Sequence, residues 1–336
     1  MAIARNADED FRFIGIDIGG SKILGIITDD QGTPCFRKSK GVGESIKVNL
    51  AEVICSFAKE FIGLARDSFK RIVGIGVSIA SALDESRSRL LFSPSYPQSI
   101  GTPLRSILQD RLGYPVVLEN DLNAAAWGEK CCGNGRGYNN FYMITVGTGC
   151  GGSFICGGDI YRGLSGVSLL GHVTFFPKGG PQCSCGNTGC IQSVLSGTAI
   201  ARMARDAIEK GRELRFLRKD LTKLSDITSE DVFAAAYAGD RVALEIARKV
   251  GRSCGLVVSD IIHLLCPDAV IIGGGVAQAG PLFFDTVREA VRTRMLVEAE
   301  KRCEILPAGL GPDAGAIGAA MLAARECQLE DKRTRK

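Results

Sequence analysis

Phe13-Ile14-Gly15-Ile16-Asp17-Ile18-Gly19-Gly20-Ser21-Lys22 is an apolar strand that enters a glycine turn, and Ile23 to Thr28 leaves that turn as a second β-rich run. Two such runs around glycines form a hairpin pattern, and Asp29-Asp30-Gln31-Gly32 is the next turn signal, with Thr33 opening a third strand. The pattern returns in the second half of the chain. Phe141 to Val146 is apolar, Gly147-Thr148-Gly149-Cys150-Gly151-Gly152 is a glycine turn, and Ser153 to Cys156 runs out to Gly157-Gly158-Asp159. A strand–glycine turn–strand unit that occurs twice, with helices between, predicts an α/β chain with a duplicated architecture: two lobes around a cleft.

Between the repeats, Leu50, Val53, Ile54, Phe57, Phe61 and Leu64 recur at three- and four-residue steps and predict a helix from about Val48 to Phe69. Val116 to Leu118 is a strand that stops at Glu119-Asn120-Asp121 and restarts as an alanine-rich helix, with Asn120 or Asp121 as its natural N-cap. A third glycine turn, Gly273-Gly274-Gly275, follows the strand Ala269 to Ile272. Helices are expected near Val242 to Leu265, Phe283 to Met295 and Ala314 to Ala324.

The chain has 336 residues, 45% hydrophobic and 23% charged, enough for a large core and for two domains. Its net charge of +4 is spread along the chain, with no basic stripe of the kind a nucleic acid requires; the cluster Lys332 to Lys336 reads as a solvated tail. Met1 to Arg12 lack the apolar core of a secretory signal, and no later run is long enough to span a bilayer, which predicts a cytoplasmic protein. In that setting the thirteen cysteines are expected to be reduced, with Cys55, Cys254, Cys266 and Cys327 as small buried hydrophobes.

Four other residues form a separate group. His172 with Cys183, Cys185 and Cys190 offers one imidazole and three thiolates, the donor set of a closed tetrahedral zinc site of the structural type. The glycine turns suit an anion, because backbone N–H groups approach phosphate oxygens where no Cβ intervenes. Asp17 is a candidate magnesium ligand or a turn-stabilising residue, and Lys22 a phosphate-facing charge or a solvated strand residue. A carboxylate at Asp121 would be kept ionised by the helix dipole and ready to accept a hydroxyl proton.

Together these motifs resemble the ROK family, within the broader ribonuclease-H-like (actin/hexokinase) fold, over nearly the whole chain. Asp17 to Lys22 resembles its first phosphate motif, Glu119-Asn120-Asp121 its sugar and catalytic motif, and Gly147 to Gly152 its second phosphate motif. Gly171-His172 with Cys183 to Cys190 resembles its zinc signature, and Pro267 to Gly275 its adenosine motif. The resemblance implies a small lobe of residues 1–122 plus 317–336 and a large lobe of 123–316 carrying the zinc loop and the adenosine site. It implies phosphoryl transfer from ATP, with Mg2+, to a hydroxyl of a sugar-like acceptor in a cleft that closes. ATP would lie against Asp17, Gly19, Gly20, Ser21, Lys22, Gly147, Thr148, Gly149, Gly273, Gly274 and Gly275. Asp121 would be the general base, Asn120, Ser95, Leu169, His172 and Gln192 would face the acceptor, and the protein would be a homodimer. The alternative is a catalytically silent ligand-binding or sensor protein; the sixteen residues before Asp17 are too few for the helix-turn-helix domain of the family's repressors.

Two departures bear on the acceptor. Where family kinases carry a glutamate three residues before the zinc histidine, and another two residues after the last cysteine, this chain has Leu169 and Gln192. A substrate hydroxyl buried against Leu169 would go unsatisfied at a cost of roughly 1–3 kcal/mol. Two loops also differ: Gly76-Val77-Ser78-Ile79-Ala80-Ser81 lacks the usual Pro-Gly pair, and Ser93-Pro94-Ser95 has serine where asparagine is frequent. The expected acceptor is therefore a deoxy, amino, acylated or cyclitol-like molecule with an apolar edge.

Overall fold

The computed structural model describes residues 11–20, 22–41, 49–68, 71–163, 166, 168–215, 217, 223–296 and 302–334; Ser21, the first ten residues and the side chains of the 332–336 cluster lie outside the described residues. The strands are β1 (Phe11–Ile18), β2 (Lys22–Thr28), β3 (Pro34–Gly41), β4 (Arg71–Ile79), β5 (Ala82–Leu83), β6 (Leu90–Phe92), β7 (Val116–Asn120), β8 (Phe141–Val146), β9 (Cys150–Cys156), β10 (Asp159–Tyr161), β11 (Ala269–Gly273) and β12 (Glu304–Pro307). The helices are α1 (Leu50–Asp67), α2 (Leu104–Leu112), α3 (Asp121–Cys132), α4 (Gly197–Glu209), α5 (Ser229–Tyr237), α6 (Arg241–Leu265), α7 (Pro281–Arg292) and α8 (Ala314–Thr334).

The first sheet has the order β3-β2-β1-β4-β7, and the second the order β10-β9-β8-β11-β12. In each, the first strand of a repeat has the next two strands of the chain on one side and two later strands on the other, so the duplication expected from the glycine turns is present. The fold is α/β of the ribonuclease-H-like (actin/hexokinase) class. The chain divides into two compact units, 1–139 with 153–168 and 309–336, and 140–152 with 169–308. β9 begins in the second unit, and its chain passes to the first at Ser153. Among the described residues, no helix is long and apolar enough to cross a membrane.

In the first unit, β1 pairs antiparallel with β2 and parallel with β4, and β4 pairs parallel with β7. Asp17, Ser78 and Glu119 are register partners in one row near the C-terminal ends of these parallel strands, the end at which open α/β sheets present ligand-binding groups. The stretch Gly76 to Ile79, read as a loop, is the end of β4, a central strand with every residue from Ile72 onward buried. Its glycine is required by packing: a Cβ on Gly76 would lie 1.8 Å from the Ala319 carbonyl oxygen and one on Gly15 1.8 Å from that of Ala316, so α8 rests directly on the sheet. The other face is covered by α1, whose Phe57 and Phe61 join Ile14, Ile16 and Ile18 in the core. That helix starts at Leu50 because Asn49 Oδ1 accepts the Glu52 N–H at 3.1 Å.

In the second unit β8, β11 and β12 are parallel. Of the four cysteines expected to be buried, Cys55 and Cys254 are; Cys327 is half-buried and Cys266 is exposed. Cys266 ends α6 in the left-handed conformation, φ 45°, which turns it out of the helix face that its spacing suggested.

Candidate active site and metal centre

Asn120 and Asp121 lie where β7 runs into α3. Asn120 is the N-cap, its Oδ1 accepting the N–H groups of Leu122 at 3.0 Å and Asn123 at 3.3 Å, and Asp121 is the first helical residue. The Asn120 amide donates to Asp121 Oδ1 at 2.9 Å and to the Ser81 carbonyl at 3.1 Å, so each of its polar atoms already has a protein partner. It reaches a substrate hydroxyl only by giving up one of these bonds. Burial raises the Asp121 carboxyl above its ordinary value, against the lowering effect of the Leu122 N–H, its own N–H and the Asn120 amide.

Asp17, at the end of β1, accepts a hydrogen bond from Ser78 Oγ at 2.5 Å. The N-terminus of α8 reaches it closely enough that a Cβ on Gly315 would lie 2.8 Å from the carboxylate. Burial pushes the Asp17 carboxyl up to about 6, with the charge of Asp121 adding and the Ser78 bond and the charge of Lys22 opposing. Because this folded value exceeds the ordinary 3.8, folding favours the protonated form; that stabilisation is complete below pH 3.8 and is lost as the pH rises through about 6. At pH 8 the buried charge costs stability. Asp17→Asn is therefore expected to raise Tm by several degrees at pH 8 in magnesium-free buffer, the gain shrinking to nothing near pH 4. Thermal melts of both proteins across that range check it.

Lys22 is exposed at the start of β2, close enough to act on Asp17. The Gly19 N–H closes the turn on the Lys22 carbonyl at 3.0 Å, and Tyr96 Oη donates to the Gly19 carbonyl at 2.7 Å. Ser95 Oγ faces the same turn, 3.7 Å from where a Gly20 Cβ would be. The first unit thus gathers Asp17, Gly19, Gly20, Lys22, Ser95, Asn120 and Asp121 around one sheet end.

The second and third glycine turns open into one cavity of the second unit, about 490 Å³. Gly147 and Thr148 line it from the β8–β9 turn, Gly275 and Val276 from the 3-10 turn after β11. The Gly147 carbonyl accepts the Gly197 N–H at 2.7 Å, and that of Thr148 accepts Thr198 Oγ1 at 2.9 Å, so the turn is pinned to the start of α4. Gly274 adopts φ +86°. Arg205, Thr228, Ser229 and Glu230 also line it. The sequence reading missed these four. Thr228 heads a capping box with Asp231, a signal visible as Thr-x-x-Asp, but nothing local ties it to the glycine turns. Arg205 has no hydrogen-bonding or ionic partner among the described residues, which leaves a cation available to a phosphate-bearing guest.

Ligand atoms of His172, Cys183, Cys185 and Cys190 all lie within 4.8 Å of one another. His172 Nδ1 is 3.8 Å from Cys183 Sγ, and Cys185 Sγ is 3.8 Å from Cys190 Sγ. Thiolates on a tetrahedral ion with bonds of about 2.3 Å stand about 3.8 Å apart, so the donor set and its spacing fit zinc. Gln192 Nε2 donates to Cys183 Sγ at 3.3 Å and to Ser184 Oγ at 3.0 Å, so this predicted acceptor-facing residue has its amide engaged with the cluster. Leu169, just before the 3-10 turn that carries His172, is 56% exposed.

A family model described as the ROK family matches residues 13–326. A glucokinase of Streptomyces coelicolor is 35% identical over 316 residues, 92% of this chain and 96% of that protein. The crystal structure of a ROK family glucokinase from Streptomyces griseus in complex with glucose and AMPPNP matches with a TM-score of 0.81 at 33% identity, covering 94% of this chain and 99% of that one. A xylose repressor of Bacillus spizizenii is 28% identical over 306 residues, 91% of this chain and 75% of that protein.

Proposed function

The chain belongs to the ROK family, and from that premise we propose that this carbohydrate kinase passes the γ-phosphoryl group of ATP to a hydroxyl of a sugar-like acceptor, with Asp121 as general base. The observation that carries the reading is the Asp121 carboxylate at the head of α3, held by the Asn120 amide at 2.9 Å beside the phosphate turn of β1. Burial brings its proton affinity closer to that of the hydroxyl it serves, and the Asn120 bond keeps one oxygen fixed so that the other faces the acceptor. Glycine turns supply backbone donors to the phosphates, and the cavity lined by Gly147, Thr148 and Gly275 receives the nucleoside. Magnesium, when bound, supplies positive charge against the phosphate oxygens, and Asp17 is the carboxylate suited to hold it or one of its waters. Zinc on His172, Cys183, Cys185 and Cys190 serves to hold its loop.

In this reading the acceptor presents an apolar edge to Leu169, whose exposed side chain replaces a hydrogen-bond acceptor. Purified protein with ATP, magnesium and a panel of hexoses, amino and acylated sugars and cyclitols tests it through ADP release. One acceptor of the apolar-edged kind is expected to exceed glucose, and Leu169→Glu to raise kcat/KM for glucose about tenfold, the worth of one charge-assisted hydrogen bond. An unchanged preference in Leu169→Glu would remove Leu169 from the acceptor site.

The similarity to a xylose repressor favours a second reading, a ligand-binding protein without turnover. Ligand-induced thermal stabilisation with no ADP release from any acceptor would support it. The kinase reading further carries a cytoplasmic homodimer, which sedimentation velocity tests.

A further inference from the structure

We infer that Arg162 and Arg87 are positioning residues for Asp121, acting through the buried carboxylate of Glu119; the inference rests on the reading of Asp121 as the base. Glu119 precedes Asn120 and Asp121 on β7, and its side chain is 3% exposed. Its position in the motif suggests a ligand for substrate, yet both oxygens are committed to protein. Oε2 accepts Arg162 Nε at 3.0 Å and Nη2 at 2.7 Å, with Arg87 Nη1 at 3.6 Å. Oε1 accepts the Asn120 N–H and Asn123 Nδ2, each at 3.1 Å.

Asn123 is itself fully bonded. Its Nδ2 also donates to the Gly166 carbonyl at 2.7 Å, and its Oδ1 accepts Ser153 Oγ at 2.7 Å. Asn120 therefore has its backbone set by Glu119 and its side chain set by the helix it caps, and the same amide fixes Asp121 Oδ1. A shift of Glu119 turns the Asn120 amide and frees the base to adopt another rotamer.

Arg87 is held at both its backbone and its side chain. It is one of two non-glycine residues with positive φ among those described, at 53°, a conformation that costs free energy and persists where surrounding contacts enforce it. Its backbone is held in the turn by its own N–H to the Asp84 carbonyl at 2.8 Å, and its side chain by Glu119 and by Glu326 of α8, which takes Arg87 Nη2 at 2.6 Å and Arg105 Nη2 at 3.2 Å. Arg105 Nε in turn donates to the Val116 carbonyl at 2.8 Å. Three guanidinium groups and two carboxylates thus tie the two ends of β7 to α2, α8 and the segment after β10. Asp17, on β1, lies close enough to interact with the charge of Asp121, and Lys22, on β2, acts on Asp17.

Removing one member of a buried ion pair strands the other, so Arg162→Met risks unfolding. Arg162→Lys keeps the charge and loses the two-pronged donation to Oε2, and Glu119→Gln with Arg162→Met removes both charges together. Each is expected to lower kcat tenfold or more with KM for ATP within twofold, and to move the acid limb of the kcat–pH profile upward as Asp121 loses its Asn120 donor. In an Asp121→Asn background neither change is expected to lower the residual rate further. Carboxyl titration of Asp121 by carbon NMR in aspartate-labelled protein reads the same displacement without activity, so it separates failure of this inference from failure of the kinase reading. A fall in Tm with kcat, acid limb and Asp121 titration unchanged would reduce Arg162 to a structural role, as would a loss of rate that persists in full in Asp121→Asn.

Discussion

Asp121→Asn is expected to lower kcat by about 10²–10⁴, the usual contribution of a positioned general base, while leaving KM for ATP nearly unchanged. The amide keeps the size and shape of the carboxylate and accepts no proton, so the acceptor hydroxyl loses its base while binding contacts remain, a change confined to the transition state. The fold should tolerate it. α3 is capped by Asn120 rather than by Asp121, so the Leu122 and Asn123 N–H groups keep their acceptor. The loss of a favourable charge near the helix N-terminus, about 0.3–1 kcal/mol, is offset by removal of a carboxylate that burial already disfavours in its ionised form. ADP release at saturating acceptor, alongside a thermal melt, checks both halves. A rate within threefold of wild type would exclude Asp121 as the base.

Cys190→Ser is expected to lower bound zinc from one ion per chain to a small fraction of that, measured by metal analysis, and to lower Tm on the order of 10 °C. Loss of a metal belongs to the few single-residue changes that cost about 4 kcal/mol or more, and each kcal/mol moves Tm by roughly 2 °C in a protein of this size. The loop has little else to hold it. Between His172 and Ile191 the described contacts are turns such as Cys183 N–H to Asn187 O at 2.8 Å and two single bridges, Thr174 with Cys190 and Gln182 with Thr188. Cys183 and Cys190 are 4% and 1% exposed, so without the ion two buried thiols and a half-buried imidazole are left with only weak hydrogen bonds beside the exposed Cys185. Gln192, whose amide bonds Cys183, would shift with the loop. KM for the acceptor is accordingly expected to rise more than KM for ATP. Chelation of wild type should reproduce the effect and zinc reverse it, whereas Cys190→Ser should not recover.

The elements most legible in the sequence were those whose signal is local. β1, β2 and α1 follow from runs of alternating or periodic apolar residues next to glycine and Asx punctuation, and each was bounded to within a few residues. The zinc group was legible because its three cysteines fall within eight residues of one another. β4 was not: Gly74 and Gly76 look like turn residues, and only the position of α8, some 240 residues later, explains them as clearance for a helix. The β5–β6 hairpin and β12 were likewise unread, as were Arg205, Thr228, Ser229 and Glu230 of the second-unit cavity, which meet only when α4, α5 and the turn after β11 come together.

What the sequence by itself determined is the repeated strand–glycine turn–strand frame, the donor set for a metal and the placing of Asn120-Asp121 at a strand–helix junction. All three depend on neighbours within one or two elements. The tertiary structure alone decided which polar groups remain available. Glu119, beside Asn120 and Asp121, is held by Arg162 and Arg87 from distant segments; Gln192 is turned to the cysteine cluster; Arg205 has no side-chain partner among the described residues. Availability of a buried charge or amide depends on which groups packing brings within about 3 Å, and those contacts join residues tens to hundreds of positions apart.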